Sequence, residues 1–310
     1  MKVLVTGGAG FIGSHVVETL LGRGHAVVVV DNLSSGRRAN LPAGVRCYEV
    51  DVRDPRLAEV FAAERPEAVS HHAAQVDVRR SVADPLFDAD VNVRGSLNVL
   101  ECARQAGVRR LIYASTGGAV YGEPDYLPVD EAHPIRPLSP YGASKHIVEH
   151  YLFLYRHNYG LEYVILRYPN VYGPRQDPHG EAGVVAIFSA RMRRGEPVTI
   201  NGDGEQTRDF TFVGDCAAAN ALALELPAAA GIYNLGTGEP TSINQLFAAL
   251  KDLTGYPAAP GYGPAKLGET RQIYLTARRA RAELGWQPQV ALRAGLAQTV
   301  AYFQSLEQTQ

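Results

Sequence analysis

The chain has 310 residues, 46% of them hydrophobic, and its 30 basic residues are balanced by 32 acidic ones to a formal charge of -2. That length and composition suit one large domain or two unequal lobes, and the balanced charge excludes the basic footprint of a nucleic-acid-binding protein, so that Arg191, Arg193 and Arg194 read as a solvated helix end. Three widely spaced cysteines (Cys47, Cys102, Cys216) and nine histidines show no metal-ligand spacing, and neither a charged leader nor an 18-residue apolar run is seen, so the expectation is a cytoplasmic protein with reduced thiols, no metal and no membrane partner.

Short apolar runs predict strands at Val3 to Val5, Ala26 to Val30, Val45 to Val50, Ala68 to Ser70, Leu111 to Tyr113 and Tyr163 to Leu166. Between them, helical periodicity marks Phe11 to Leu21, Arg56 to Ala63, Val91 to Gln105 and Pro140 to Asn158. Alternation of this kind predicts an α/β fold, a Rossmann-type doubly wound parallel sheet covered on both faces. After Arg167 the pattern turns irregular, with Pro169, Pro174 and Pro178, a helical piece near Val184 to Arg194 and turns at Asn201 to Gly204 and Pro257 to Gly268. The expected division is a dinucleotide-binding domain over 1–167 plus about 209–236, and a smaller mixed lobe over about 168–208 and 237–310. Ligands of open parallel sheets bind beyond the carboxyl ends of the strands, and the second lobe would close over that edge.

The first strand runs into Thr-Gly7-Gly-Ala-Gly10-Phe-Ile-Gly13, which opens the first helix. Glycines there allow a tight turn and close backbone approach, so that a pyrophosphate can rest on the helix N-terminus. Asp31, about 20 residues on at the end of the second strand, would accept from ribose hydroxyls and repel a 2'-phosphate, which favours NAD over NADP; Arg37 and Arg38 nearby weaken that preference slightly. Asp51-Val52 and His72-Ala73-Ala74-Gln75 end the next strands on the same edge, with His71 and His72 read as packing or surface residues.

The strand at Leu111 to Tyr113 ends in Ala-Ser115-Thr116-Gly-Gly-Ala-Val-Tyr-Gly and delivers two hydroxyls to the edge where a nicotinamide would lie. Tyr141 and Lys145 follow, four residues apart and so on one face of a helix. A phenol beside an ammonium can become a proton acceptor, because the positive charge favours the phenolate. Lys2, Lys145, Lys251 and Lys266 are the lysines among the 30 basic residues, so Lys145 departs from a general use of arginine.

On these motifs, together with Asn92-Val-Arg-Gly, Arg167-Tyr-Pro-Asn170-Val-Tyr-Gly-Pro-Arg175, Gly202-Asp-Gly-Glu-Gln-Thr-Arg208-Asp-Phe and Tyr233-Asn-Leu-Gly-Thr-Gly, the chain resembles the extended short-chain dehydrogenase/reductase (NAD-dependent epimerase/dehydratase) family from Met1 to about Pro288, most closely its UDP-glucose 4-epimerase group. The resemblance implies a UDP-sugar substrate. It also implies that Tyr141 takes the sugar 4-hydroxyl proton while hydride passes from C4 to tightly bound NAD, that Lys145 holds the ribose and lowers the tyrosine pKa, and that a strand-end hydroxyl relays the proton. It further implies cofactor contacts from Phe11, Ile12, Asn32, Asn92 and Tyr168, and substrate contacts from Asn170, Val184, Val198, Ile200, Arg208 and Lys266. Ile273 falls where the family lines the pocket around the sugar's 2-substituent. Counting forward from the strand puts Thr116 in the relay role, whereas counting back from Val120 lands on Gly117, which has no side chain; Thr116 is the reading taken, with Ser115 beside it. Lys266 stands where arginine is usual and lacks its bidentate fork. Family members often pair through two long helices, which makes a homodimer through Val91 to Gln105 and Pro140 to Asn158 the expectation.

Relatives that eliminate water across C5 and C6 carry an Asp-Glu pair after the strand-end threonine, and decarboxylases a glutamate. This chain has Gly117-Gly118, with Glu123 beyond the turn. The expected reaction is therefore interconversion of UDP-glucose and UDP-galactose through a 4-keto intermediate. The alternatives are 4-epimerisation of UDP-N-acetylglucosamine or a UDP-uronic acid and, in another class, a non-catalytic NAD-binding regulator.

Overall fold

The structure, a computed structural model, describes residues 1–179, 183–265 and 270–307. Its first half runs β1 (Lys2–Thr6), α1 (Phe11–Gly22), β2 (Ala26–Asp31), β3 (Arg46–Glu49), α2 (Leu57–Glu64), β4 (Ala68–His71), α3 (Val78–Ala83), α4 (Pro85–Ala89), α5 (Gly95–Gln105), β5 (Arg110–Thr116), α6 (Pro140–Tyr159) and β6 (Glu162–Tyr168). The second half adds β7 (Asn170–Tyr172), α7 (Val184–Arg193), β8 (Thr199–Asn201), β9 (Thr207–Arg208), β10 (Phe210–Phe212), α8 (Val213–Glu225), β11 (Gly231–Asn234), β12 (Thr241–Ser242), α9 (Ile243–Thr254), β13 (Gly261–Gly263), β14 (Gln272–Ile273) and α10 (Leu292–Glu307).

Seven strands form one parallel sheet in the order β11-β6-β5-β4-β1-β2-β3. Successive side chains point to opposite faces. On one face Val3, Val5, Val29, Ile112 and Val164 pack with α1 and α8; on the other Leu4, Val30, Val69, Leu111 and Ile165 pack with α2, α5 and α6. Because both faces are covered, the strands read as apolar runs rather than alternating ones. The order reverses between β1 and β4, so the loops after these two strands diverge and leave a crevice at the carboxyl edge.

A second hydrophobic cluster, including Phe188, Ile200, Phe210, Phe247, Leu296 and Val300, lies among α7, α9 and α10, flanked by short two- and three-stranded sheets. Three of its surrounding elements escape the periodicity reading. The α8 helix carries buried residues all round, many of them alanine, and so has no polar stripe to reveal it. By contrast α9 announces itself by a capping box, Ser242 with Gln245, which is a legible start signal left unused, as is the apolar spacing of α10.

The predicted helix from Val91 begins instead as a wide turn over Asp90–Arg94 before tightening into α5. Such a π-type turn re-aims one side chain, here Asn92, which is buried. Ahead of it, α3 and α4 are each started by an aspartate: Asp77 accepts from the Arg80 N–H at 2.8 Å and Asp84 from the Phe87 N–H at 3.0 Å. Among the described residues no helix is long and apolar enough to cross a membrane, and no group of three or more His, Cys, Asp or Glu side chains is placed to hold a metal ion.

Candidate active site

The loop from β1 to α1 is shaped by glycines that no other residue could replace. A Cβ on Gly7, whose φ is +65°, would lie 2.6 Å from the Ala73 backbone nitrogen, and one on Gly13 would overlap the Gly7 carbonyl oxygen. The Gly10 N–H donates back to that carbonyl at 3.1 Å. At the start of α1 no side chain caps the helix and no acidic residue occupies the first turn. The orphan N–H groups of Phe11, Ile12 and Gly13 are therefore available to an anion, and the missing Cβ atoms leave room for it. This cradle fits a dinucleotide pyrophosphate. The side chains of Phe11 and Ile12 are committed elsewhere, packing against the second core cluster.

Asp31 closes the same loop. Its Oδ2 accepts from Ala9 N–H at 2.9 Å and its Oδ1 from Leu33 N–H at 2.8 Å, while Gly36 leaves the space over both oxygens clear. Burial raises its carboxyl pKa and the two backbone donors oppose that rise. Beyond it, Asn32 donates to Asp51 at 2.8 Å and Arg53 grips Asp51 in a fork, which holds this carboxylate well below its ordinary range.

At four of the expected cofactor positions the side chains have partners within the protein. Val52 is 5% exposed and fills the space against Gly95. Gln75 and Asn92 bond one another instead: the Gln75 N–H donates to Asn92 Oδ1 at 2.8 Å, the Asn92 amide donates to the Gln75 carbonyl at 3.0 Å, and both amides donate to Asp88. Asn92 also reaches Ser144 on α6 at 3.1 Å, so this network fixes the loop after β4 onto the reacting helix. Tyr168 points into the core, where its hydroxyl accepts from Asn220 at 2.5 Å. Ala73 and Ala74 do lie on the edge, and Thr6 Oγ1 accepts from the Ala73 N–H at 3.2 Å.

Tyr141 opens α6, its N–H donating to Ser81 at 3.1 Å, and the Thr116 hydroxyl at the end of β5 is near enough to its phenol to act on it. Lys145, one turn on and 4% exposed, holds its ammonium 4.4 Å from the Tyr113 ring centre. Burial pushes the Tyr141 phenol up to about 12, the neighbouring Thr116 hydroxyl pulls it down and the Asp88 charge raises it. Among the protein's own groups burial, and not the Lys145 charge, thus sets the direction in which this phenol moves. Burial also brings Lys145 itself down to about 7, against the upward pull of Glu149 and Asp88.

Ser115, expected beside Thr116, faces the other way. Adjacent strand residues alternate, and its hydroxyl donates to Glu149 Oε1 at 2.5 Å. Glu149 receives Arg167 through Nε at 2.9 Å and Nη2 at 2.6 Å, in a pair whose side chains are 3% and 2% exposed. Arg167 in turn donates to Tyr121 at 2.8 Å, and Tyr121 to Asn234 at 2.7 Å. Neither Glu149 nor Asp88 was singled out from the sequence. The signal for Glu149 was its place four residues past Lys145, continuing the Tyr141/Lys145 stripe on α6.

At the other wall, Asn170 heads β7 and Arg208 ends β9, its Nη1 donating to the Thr207 carbonyl at 2.9 Å. A Cβ on Gly118 would meet Asn170 Oδ1 at 3.7 Å and Thr116 Oγ1 at 3.9 Å, so this glycine sits where those two side chains converge. Asp209 beside Arg208 turns inward and accepts from Thr237 and Gly238 on one loop and from Leu275 at 3.1 Å on another. Val198 and Ile200, expected at the substrate, are each 1% exposed within the second cluster, and Val184 packs against it. Ile273 is likewise buried, with Val120, Tyr121 and Leu275. Lys266 lies outside the described residues.

A family model described as the NAD-dependent epimerase/dehydratase family matches residues 3–236. A UDP-glucose 4-epimerase of Mycolicibacterium smegmatis is 47% identical over 313 residues, which span 99% of this chain and 100% of the relative. Two crystal structures are similar throughout. One is a UDP-glucose 4-epimerase with UDP-glucose from Thermotoga maritima (49% identity, TM-score 0.97, 99% of this chain and 100% of that chain). The other is a Thermus thermophilus UDP-glucose 4-epimerase in complex with NAD (50% identity, TM-score 0.93, 98% and 99%).

Proposed function

The chain belongs to the NAD-dependent epimerase/dehydratase family, and from that premise we propose that it is a UDP-glucose 4-epimerase, interconverting UDP-glucose and UDP-galactose through a 4-keto sugar. The observation that carries this reading is the meeting of Thr116 at the end of β5 with Tyr141 at the start of α6, one helical turn from Lys145 and beside a Gly117-Gly118 loop that bears no carboxylate. NAD, when bound, would supply the hydride acceptor and donor for C4.

Tyr141 Oη takes the proton of the sugar 4-hydroxyl, and Thr116 Oγ1 orients that oxygen and relays the proton. Lys145 donates to the cofactor ribose, and while charged it opposes the burial that disfavours the Tyr141 phenolate. The orphan N–H groups at Phe11, Ile12 and Gly13 would hold the pyrophosphate, and Asp31 the adenosine ribose. Asn170 and Arg208 bind the substrate's phosphates, with Lys266 as a further cation. Elimination at C5 and C6 needs a carboxylate beside the sugar, whereas here positions 117 and 118 offer only backbone. Residues 1–167 with about 209–236 form the cofactor domain on this reading, which is supported by β11 completing the large sheet and by α8 packing on α1. The remainder forms the nucleotide-sugar lobe.

A cytoplasmic homodimer completes the proposal. Ile147 and Phe153 on the outer side of α6 are 44% and 53% exposed, an apolar face suited to a second copy. Light scattering is expected to give twice the 33.5 kDa chain mass. The activity is tested with a panel of UDP-sugars: UDP-galactose is expected to yield UDP-glucose without added NAD, and failure of that conversion would refute the assignment.

A further inference from the structure

Tyr141, Lys145 and Glu149 occupy successive turns of α6, and only the first two have a place in the reaction as derived above. An ammonium enclosed by protein is unstable unless negative charge faces it. The charged and titratable groups around Lys145 are Tyr141 and Glu149 on α6, Tyr113 on β5, His71 at the end of β4 with His72 just after it, and Asp88 on α4. Both histidines are kept neutral by burial, and the Tyr113 phenol is pushed up well above its usual range. Glu149 and Asp88 are therefore the anions available to it.

Of these two, Glu149 is also mechanically joined to the reacting hydroxyl. Its Oε1 receives the Ser115 hydroxyl, and Ser115 is the residue next to Thr116. Arg167 grips both of its oxygens from β6, and His146 approaches Oε2 at 3.2 Å. Although burial pushes the other way, these donors bring the Glu149 carboxyl down to about 2, so it is an anion throughout the range in which Lys145 titrates.

We propose that Glu149 is a positioning residue for the epimerase reaction: its carboxylate holds the Lys145 ammonium charged from one turn away and fastens the Ser115–Thr116 strand end to α6. The idea rests on the reading of Lys145 and Tyr141 as the reacting pair. An uncharged group at 149 would leave Lys145 facing Asp88 alone, so the ammonium would release its proton at lower pH and the site would lose its cation on the alkaline side sooner.

The chain's four lysines make this measurable without an activity assay. Holoenzyme labelled with 13C-lysine is titrated by NMR, the Lys145 resonance being identified by its loss in Lys145→Met. In Glu149→Gln its midpoint is expected to fall by about one pH unit or more relative to the parent. Because that variant leaves Arg167 buried without its anion, the double variant Glu149→Gln/Arg167→Leu, which removes the cation as well, provides a second measurement and is expected to show a downward shift smaller than that of Glu149→Gln. The alkaline limb of kcat should move with the resonance in whichever variant is active. An unmoved or raised Lys145 midpoint in a folded variant overturns the proposal and leaves Glu149 a structural ion pair. The titration reads Lys145 whether or not any UDP-sugar is epimerised, so a failure of the activity assignment is a separate result.

Discussion

The two ends of the crevice are built on different physics. At the cofactor end, between β1 and α1, the determinants are missing atoms: glycines pack so closely that an added methyl meets backbone, and the helix N-terminus presents bare N–H groups. At the reacting end, between β5 and α6, the determinants are buried ionisable side chains, Tyr141, Lys145 and Glu149, each displaced from its ordinary pKa. The comparison teaches that the first end should fail by steric overlap at any pH, and the second by changes of charge that leave the fold intact.

The largest expected effect is at the first end. Gly13→Ala places a methyl into the Gly7 carbonyl, which cannot move without shifting the loop. NAD released on denaturation should drop to a small fraction of the parent level, with stability lower by on the order of 3 kcal/mol. Retention of a full complement of NAD would show that the loop relaxes and that the steric account is wrong.

Next, Tyr141→Phe should lower kcat by roughly a hundredfold to ten-thousandfold while NAD stays bound, since it removes the proton acceptor and little else. Thr116→Val should cut turnover by about a hundredfold with NAD likewise retained. An unchanged rate would remove Thr116 from the mechanism.

A pH experiment sharpens the contrast further. Burial depresses the Lys145 pKa in the folded chain to about 7 from the ordinary lysine value of 10.5. Between those values the unfolded chain binds more protons at this site, so the site's contribution to stability rises with pH across the window. Replacing Lys145 by Met removes the cost of burying the cation. The variant should be more stable than the parent at pH 7 and below, and that advantage should shrink as pH approaches 10. A gap that is constant with pH, followed by thermal melts of both proteins, would show that Lys145 is not desolvated. No matching window is expected for Gly13→Ala.

The smallest effect distinguishes the two hydroxyls. Ser115→Ala removes one buried hydrogen bond to Glu149, so about 1 kcal/mol of stability and less than tenfold of turnover should be lost. A loss equal to that of Thr116→Val would put Ser115 back at the substrate.

How much of this was legible in the sequence divides along the same line. The sheet, its helices and the glycine cradle leave periodic or positional signals, because strand spacing, helix spacing and backbone clearance are local properties. Side-chain direction at the edge is not local. Val52, Gln75, Asn92 and Tyr168 lie on segments that reach the crevice, yet they turn inward, since whether a residue near a strand end faces ligand or core depends on partners far along the chain, such as Asn220 for Tyr168. Ser115 and Thr116 could have been separated by strand alternation alone, had the strand been read through to Thr116 instead of ending at Tyr113. The burial of Val198 and Ile200 was hidden for a different reason: their cluster is assembled from α7, α9 and α10, two of which leave no periodicity assignment in the sequence reading.

The central claim is that Tyr141 and its neighbours oxidise the sugar at C4 and that the same hydrogen returns to the opposite face. The most direct test supplies UDP-galactose deuterated at C4 to the enzyme without added NAD and analyses the UDP-glucose formed by mass spectrometry and NMR. The account predicts UDP-glucose with deuterium retained at C4. UDP-glucose bearing protium there, or no UDP-glucose at all, would contradict it.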